Sequence, residues 1–235
     1  MNNQTVIINQ AEQTALNRFF GKIYGLVAMG IGLSGLVSFL TITVFQEFML
    51  SLLRVGSSAM WAMMLIQLVI VFVASAMAQK NSPLALPFFL LYSIMTGFTI
   101  SFILLLYTGE TVLLAFLSAA IMFVIMAVIG LTTKKNLSGV GQALLAALWG
   151  VIIASVLNLF FRSSGLSFIM SIASVLIFSG LIAYDNQRIR LVYEQTGGQV
   201  GQGWIVSMAL HLYLDFINLF LNLLRIFGAG SSRRN

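Results

Sequence analysis

Cysteine is absent from this 235-residue chain, and histidine occurs once, as His211. Without thiols there is no disulfide framework, no thiolate metal site and no cysteine nucleophile, and one imidazole cannot build a histidine-rich metal centre. Charge is also scarce. Charged residues make up 8% of the chain against 60% hydrophobic residues, and the mean hydropathy is +1.01. That balance excludes a soluble domain and defines an integral membrane protein. Helical spans of about 20 residues use up the length, leaving no room for a separate globular domain of ordinary size. The net charge of +6 reads mainly as a topology signal. A nucleic-acid partner would need clustered basic residues on a folded soluble face, which this sequence lacks.

The long apolar runs predict an all-α membrane protein with seven spans, near Tyr24–Phe45, Ala59–Met77, Leu84–Tyr107, Thr111–Leu131, Val140–Phe161, Leu166–Tyr184 and Trp204–Phe227. Each is long enough to cross about 30 Å of hydrocarbon, and helices alone satisfy the backbone there without a closed barrel. The chain thus divides into a polar N-terminal tail (1–20), a seven-helix transmembrane domain (21–228) and a short basic C-terminal tail (229–235). The first tail lacks the apolar core and cleavage site of a removable signal peptide and reads as a disordered leader. Pro87 falls near the start of the third span, where a missing amide donor costs least, and Gly97 offers a close helix contact further along. Gly25, Gly30, Gly32 and Ala28 suggest close packing of the first span.

Basic residues alternate between the two sides of the membrane. Arg18 and Lys22, then Lys80, Lys134 with Lys135, and Arg188 with Arg190 fall on one side, whereas Arg54 and Arg162 share the other with Glu47 and Glu110. The positive-inside rule therefore puts the N-terminus in the cytoplasm. An odd number of spans puts the C-terminus outside, in conflict with Arg233 and Arg234. The last segment has no break that would make it re-entrant, so a full span is expected.

That last segment carries His211, Asp215, Asn218, Asn222 and Arg225, spaced 4-3-4-3 along roughly 21 Å of helix. All five share one face in an otherwise apolar setting, and ionisable groups at membrane depth mark ion pathways, proton sites or catalytic centres. The chain has only two aspartates, Asp185 and Asp215, flanking the glycine-rich connection Gly197–Gly203. Val200, in its middle, is fifteen positions from each. If the sixth helix continues past Tyr184 toward Tyr193, an antiparallel hairpin returns both carboxylates to similar depth. Two carboxylates close together in a poorly hydrated site cannot both ionise cheaply, so the pair should titrate as a unit and act as a proton-sensitive switch. Oxygen ligands also suit calcium, held transiently by Asp185 and Asp215, although two carboxylates fall short of its usual six to eight ligands. Water, Asn218 or backbone carbonyls would complete the shell.

The segments Ser179-Gly180-Leu181-Ile182-Ala183-Tyr184-Asp185-Asn186-Gln187 and Leu212-Tyr213-Leu214-Asp215-Phe216-Ile217-Asn218-Leu219-Phe220 resemble signatures of the Bax inhibitor family, the transmembrane Bax-inhibitor-motif proteins. Thr132-Thr133-Lys134-Lys135 and Leu137-Ser138-Gly139 extend the resemblance, which covers nearly the whole chain and is closest to bacterial inner-membrane members. It implies a seven-helix fold with the last helix central, and a pH-sensitive calcium leak in which Asp185 and Asp215 gate the path by sharing protons. No cofactor is implied; calcium enters as the transported ion, and the partners are the bilayer, calcium or protons, and a membrane protein. Asn186 stands where many members have threonine. Some members latch one aspartate with an arginine at the end of the second helix. Here that stretch reads Ala76-Met77-Ala78-Gln79-Lys80, so the arginine latch is missing or replaced, with Lys80 the candidate substitute, which lacks arginine's planar fork.

His211 is a candidate modulator of the pH response, Asn218 and Asn222 are pore-lining or helix-bridging candidates, and Arg225 is an interfacial anchor. Trp61 and Trp204, near span starts, fit interfacial anchoring too. Enzyme readings are weaker. Intramembrane aspartyl proteases share a Tyr-Asp on one helix, but their second aspartate follows Gly-x-Gly, where this chain has Leu212-Tyr213-Leu214. Gly32-Leu33-Ser34-Gly35 matches the Gly-x-Ser-Gly of rhomboid proteases, yet helix packing explains it better. A regulator that binds a membrane protease or a cell-death factor through residues Asn2 to Gln13 is the alternative function. A proton-coupled transporter is disfavoured, because no inverted repeat is evident.

Overall fold

The computed structural model describes residues 3–231, and their side chains except at 3–13, 57 and 231. Regular structure among them is helical throughout: α1 (Asn3–Thr43), α2 (Gln46–Val55), α3 (Ser57–Gln79), α4 (Ala85–Leu104), α5 (Gly109–Thr132), α6 (Ser138–Phe161), α7 (Ser164–Gln195) and α8 (Gln202–Ser231). Seven are long and apolar enough to cross a membrane, and their ranges contain or closely overlap the seven expected spans. The additional helix, α2, is ten residues long and too short to cross. Glu47 in its first turn and Arg54 in its last suit the helix dipole, and Gly56 ends it at a φ of 92°.

Two expectations about the N-terminal segment change. The polar stretch read as a disordered leader is helical from Asn3, continuous with the first span. Packing begins before Tyr24, with Phe19, Phe20 and Ile23 already buried. Met1, Asn2 and the C-terminal Arg233 and Arg234 lie outside the described residues, as do the side chains of the segment through Gln13 proposed for partner contact. At the other end, α8 runs unbroken through the whole last span. It is the most deeply buried of the seven, with 67% of its most apolar stretch enclosed by protein.

The chain forms two compact units, one up to Leu105 with Leu191–His211, the other Leu106–Arg190 with residues from Leu212 onward. In the first, α1 and α4 meet where Gly97 faces the backbone of Ser34, so closely that a Cβ there would overlap the Ser34 carbonyl. Gly25, Gly32 and Gly35 on α1, by contrast, have nothing within 4 Å of an added Cβ. The close packing expected of the first span is thus made at Ser34 against Gly97 of α4; Gly30 of α1 is buried, whereas Gly25, Gly32 and Gly35 face open space. Polar bonds tie α3 to α4: the Gln67 amide donates to Thr96 Oγ1 (2.7 Å), and Thr99 Oγ1 donates back to Gln67 Oε1 (3.1 Å). Such bonds are favoured in lipid because the alternative is an unmet polar group.

In the second unit, α5 crosses α7 at Gly130, where a Cβ would strike the Ala183 carbonyl. The Tyr184 ring covers Gly141 of α6, and Leu144 of α6 lies against Gly180. Phe116 and Phe123 of α5 meet Phe216 edge-on at 5.7 and 5.9 Å. These contacts fix the rotation of α7 and α8 about their axes, which decides where their aspartates point.

Candidate functional site: a buried pair of aspartates

Helix α7 continues past Tyr184 to Gln195, the extension that the hairpin argument required. Asp185 on α7 and Asp215 on α8 are 7% and 6% exposed. They lie close enough for Asp215 to feel the charge of Asp185. Oδ2 of Asp215 is buried and receives no hydrogen bond from any described residue. A buried carboxylate oxygen without a donor is costly when ionised, which gives the site a strong preference for a proton, a water or a cation. Among the described residues, no three His, Cys, Asp or Glu side chains gather as a metal site would require. Calcium bound here would draw most of its ligands from water and backbone carbonyls.

The five-residue stripe of α8 divides in two. His211 and Asn218 are half-buried and Arg225 is exposed, in register with the half-buried Ser207, Leu214 and Leu221. Asp215 and Asn222 follow Leu214 and Leu221 by one residue, a rotation of about 100°, and are buried. The asparagines spend their amide donors on their own helix: Asn218 Nδ2 donates to Leu214 O and Asn222 Nδ2 to Asn218 O, both at 2.8 Å. Neither side-chain amide donates to a neighbouring helix.

Lys80 follows α3 as its C-cap and is exposed; its backbone N–H donates to Ala76 O at 3.1 Å. Arg188, one turn further along α7 and exposed, is a cation whose charge reaches Asp185. Sequence reasoning counted Arg188 only toward topology. It also missed the anchoring role of Gln187 and Arg190. Gln187 Nε2 donates to Lys135 O and Gln187 Oε1 accepts from Leu137 N, both at 2.8 Å, clamping the α5–α6 connection. The Arg190 guanidinium donates to the carbonyls of Leu131 and Thr133 at the C-terminus of α5, where a cation also opposes the helix dipole. The spacing of Ala183, Gln187 and Arg190, 4 then 3, was the available signal. It places all three on one face of α7, turned to α5 and its following loop.

Ser34, the rhomboid-like serine, has its hydroxyl within 2.9 Å of Gly30 O and 2.7 Å of Ser93 O. It sits at the α1–α4 contact, where the hydroxyl joins two helices.

The fold and site define a multi-pass helical membrane protein built around buried carboxylates. The family model described as inhibitor of apoptosis-promoting Bax1 matches residues 16–232, and the chain belongs to the Bax inhibitor family. It is 54% identical over 226 residues to an uncharacterized membrane protein of Streptococcus pyogenes, covering 96% of this chain and 98% of that one. Protein YrjE of Lactococcus lactis is 48% identical over 235 residues, the full length of both. Inner membrane protein YbhL of Escherichia coli is 36% identical over 220 residues, 92% of this chain and 93% of YbhL.

Proposed function

We propose that this protein is a pH-sensitive calcium, or more generally cation, leak of the inner (plasma) membrane, with its N-terminus in the cytoplasm and Asp185 and Asp215 as the proton-responsive gate. The observation that carries this reading is the buried pair itself, with an Asp215 oxygen that no described residue bonds. In the closed state the carboxylates share a proton. A change in their ionisation alters their mutual repulsion and shifts the balance between closed and open helix arrangements. The cation is substrate, passing beside α8. The half-buried His211 and Asn218 flank its course, and the buried Asn222 steadies α8 through its bond to Asn218. No enzymatic step is part of the proposal, since Leu212-Tyr213-Leu214 replaces the glycine-flanked approach to the second aspartate that a protease would need.

Reconstitution tests the leak directly. Purified protein in liposomes enclosing a calcium indicator is expected to pass calcium faster than protein-free liposomes of the same lipid. Equal rates at every pH from mildly acid to mildly alkaline would sink the leak and favour the alternative, a regulator that acts by binding other membrane proteins.

A further inference from the structure

A cavity of about 180 Å³ opens beside the start of the first span, with Arg18 and Lys22 of α1 at its rim. Both are exposed and four residues apart, so they share a helix face. Like charges at that spacing repel, and no carboxylate is among the described residues lining the cavity. The floor is aromatic. Phe19 is buried, lies 5.0 Å from the Tyr193 ring and stacks on Trp204 at 6.2 Å. Gly198, at a φ of +80°, closes one wall, and a Cβ there would come within 3.1 Å of the Tyr193 ring. Paired cations over an aromatic floor at the head of an apolar span form the pattern that meets lipid headgroups at a membrane interface.

The surface leading away from the cavity has its own regularity. Arg18, Lys22, Gly25, Met29, Gly32 and Leu36 repeat at 4-3-4-3-4, and all six are exposed. They form one stripe along α1 that runs from charge to apolar surface. Gly25 and Gly32 leave open space beyond their backbone, so the stripe alternates open positions with the exposed apolar side chains of Met29 and Leu36. A free phosphate would use only the cationic rim, whereas a phospholipid would use the rim and the apolar stripe together.

We propose that this cavity binds the phosphate headgroup of an anionic phospholipid, with an acyl chain lying along the α1 stripe. The bound lipid neutralises Arg18 and Lys22 and braces α1 against Tyr193 and Trp204.

The test uses the full-length protein with Trp61→Phe and Trp149→Phe, which leaves Trp204 as the only tryptophan. Reconstituted with brominated phosphatidylglycerol or brominated phosphatidylcholine, it reports lipid at the cavity through quenching of Trp204. Phosphatidylglycerol is expected to displace phosphatidylcholine. Arg18→Gln with Lys22→Gln is expected to weaken that preference roughly 30-fold, about fivefold for each basic residue near an anionic headgroup. The charge-conserving exchange Arg18→Lys with Lys22→Arg should keep it, which separates loss of charge from loss of fold. Equal quenching by the two lipids, or a glutamine double variant that retains the preference, overturns the proposal. Loss of the preference on adding millimolar inorganic phosphate also overturns it, because the site would then belong to the free ion.

Discussion

Replacing Gly130 with alanine puts a methyl group where α5 and α7 are closest. The obstruction is backbone, the carbonyl and Cα of Ala183, so no flexible side chain can move aside and the helices must separate. Small-to-large insertions into a packed contact cost about 1–3 kcal/mol, and the rigid obstacle favours the upper half of that range. Alanine recovers about 1 kcal/mol in helix propensity. The net expectation is a loss of about 1–2 kcal/mol. Gly150 on α6 is the control, since nothing lies within 4 Å of a Cβ there, and Gly150→Ala should be neutral or stabilising by up to about 1 kcal/mol. Unfolding of the purified proteins in one detergent, followed by circular dichroism, compares the two directly. If Gly130→Ala unfolds with or after wild type, the close α5–α7 crossing is wrong. Ala183 lies two residues before Asp185, so the same separation would also shift the proposed gate.

Gln187→Ala removes both bonds to the α5–α6 connection and leaves Leu137 N–H and Lys135 C=O without their partner; a loss of about 1–3 kcal/mol is expected in the same unfolding assay. Gln187→Glu keeps the acceptor for Leu137 but turns a buried carboxylate oxygen to the Lys135 carbonyl, and should lose at least as much. Asn81, at a φ of 50°, accepts the Gly203 N–H at the start of α8 at 2.6 Å. Asn81→Gly should cost about 1 kcal/mol for the lost cap, and Asn81→Ala about 1–2 kcal/mol more for the left-handed backbone, so equal stability of the two would contradict that geometry. Asn218→Leu should change stability by less than about 1 kcal/mol, because its amide bonds only its own helix; a larger loss in thermal unfolding would show that Asn218 bridges to another helix.

The spans were legible because apolar runs of that length have few alternatives in 235 residues. The continuation of α7 through Asp185 and Arg188 was legible from the absence of glycine and proline there. What sequence could not supply was rotation. A 4-3-4-3 spacing places five side chains on one face but does not say which edge of it turns inward, so it could not show that Asp215 and Asn222 are buried while His211 is half-buried and Arg225 exposed. Long-range partners were hidden for a similar reason. The carbonyls held by Gln187 and Arg190 are 50 or more residues away, and backbone groups leave no trace in side-chain pattern. At α1 the glycine pattern marked a span that does pack closely, but not which of its glycines are enclosed: Gly30 is buried while Gly25 and Gly32 are open. The short α2 escaped because ten residues between two spans look like a loop when only span-length runs are sought.

The central claim is that ionisation of the Asp185–Asp215 pair governs calcium passage. The most direct measurement is calcium flux into liposomes against pH for wild type, Asp185→Asn and Asp215→Asn at matched protein density. The account predicts a pH-dependent flux for wild type and a flattened profile for each variant, because neither retains a pair that can share a proton. Variants whose flux follows the wild-type pH profile would contradict it.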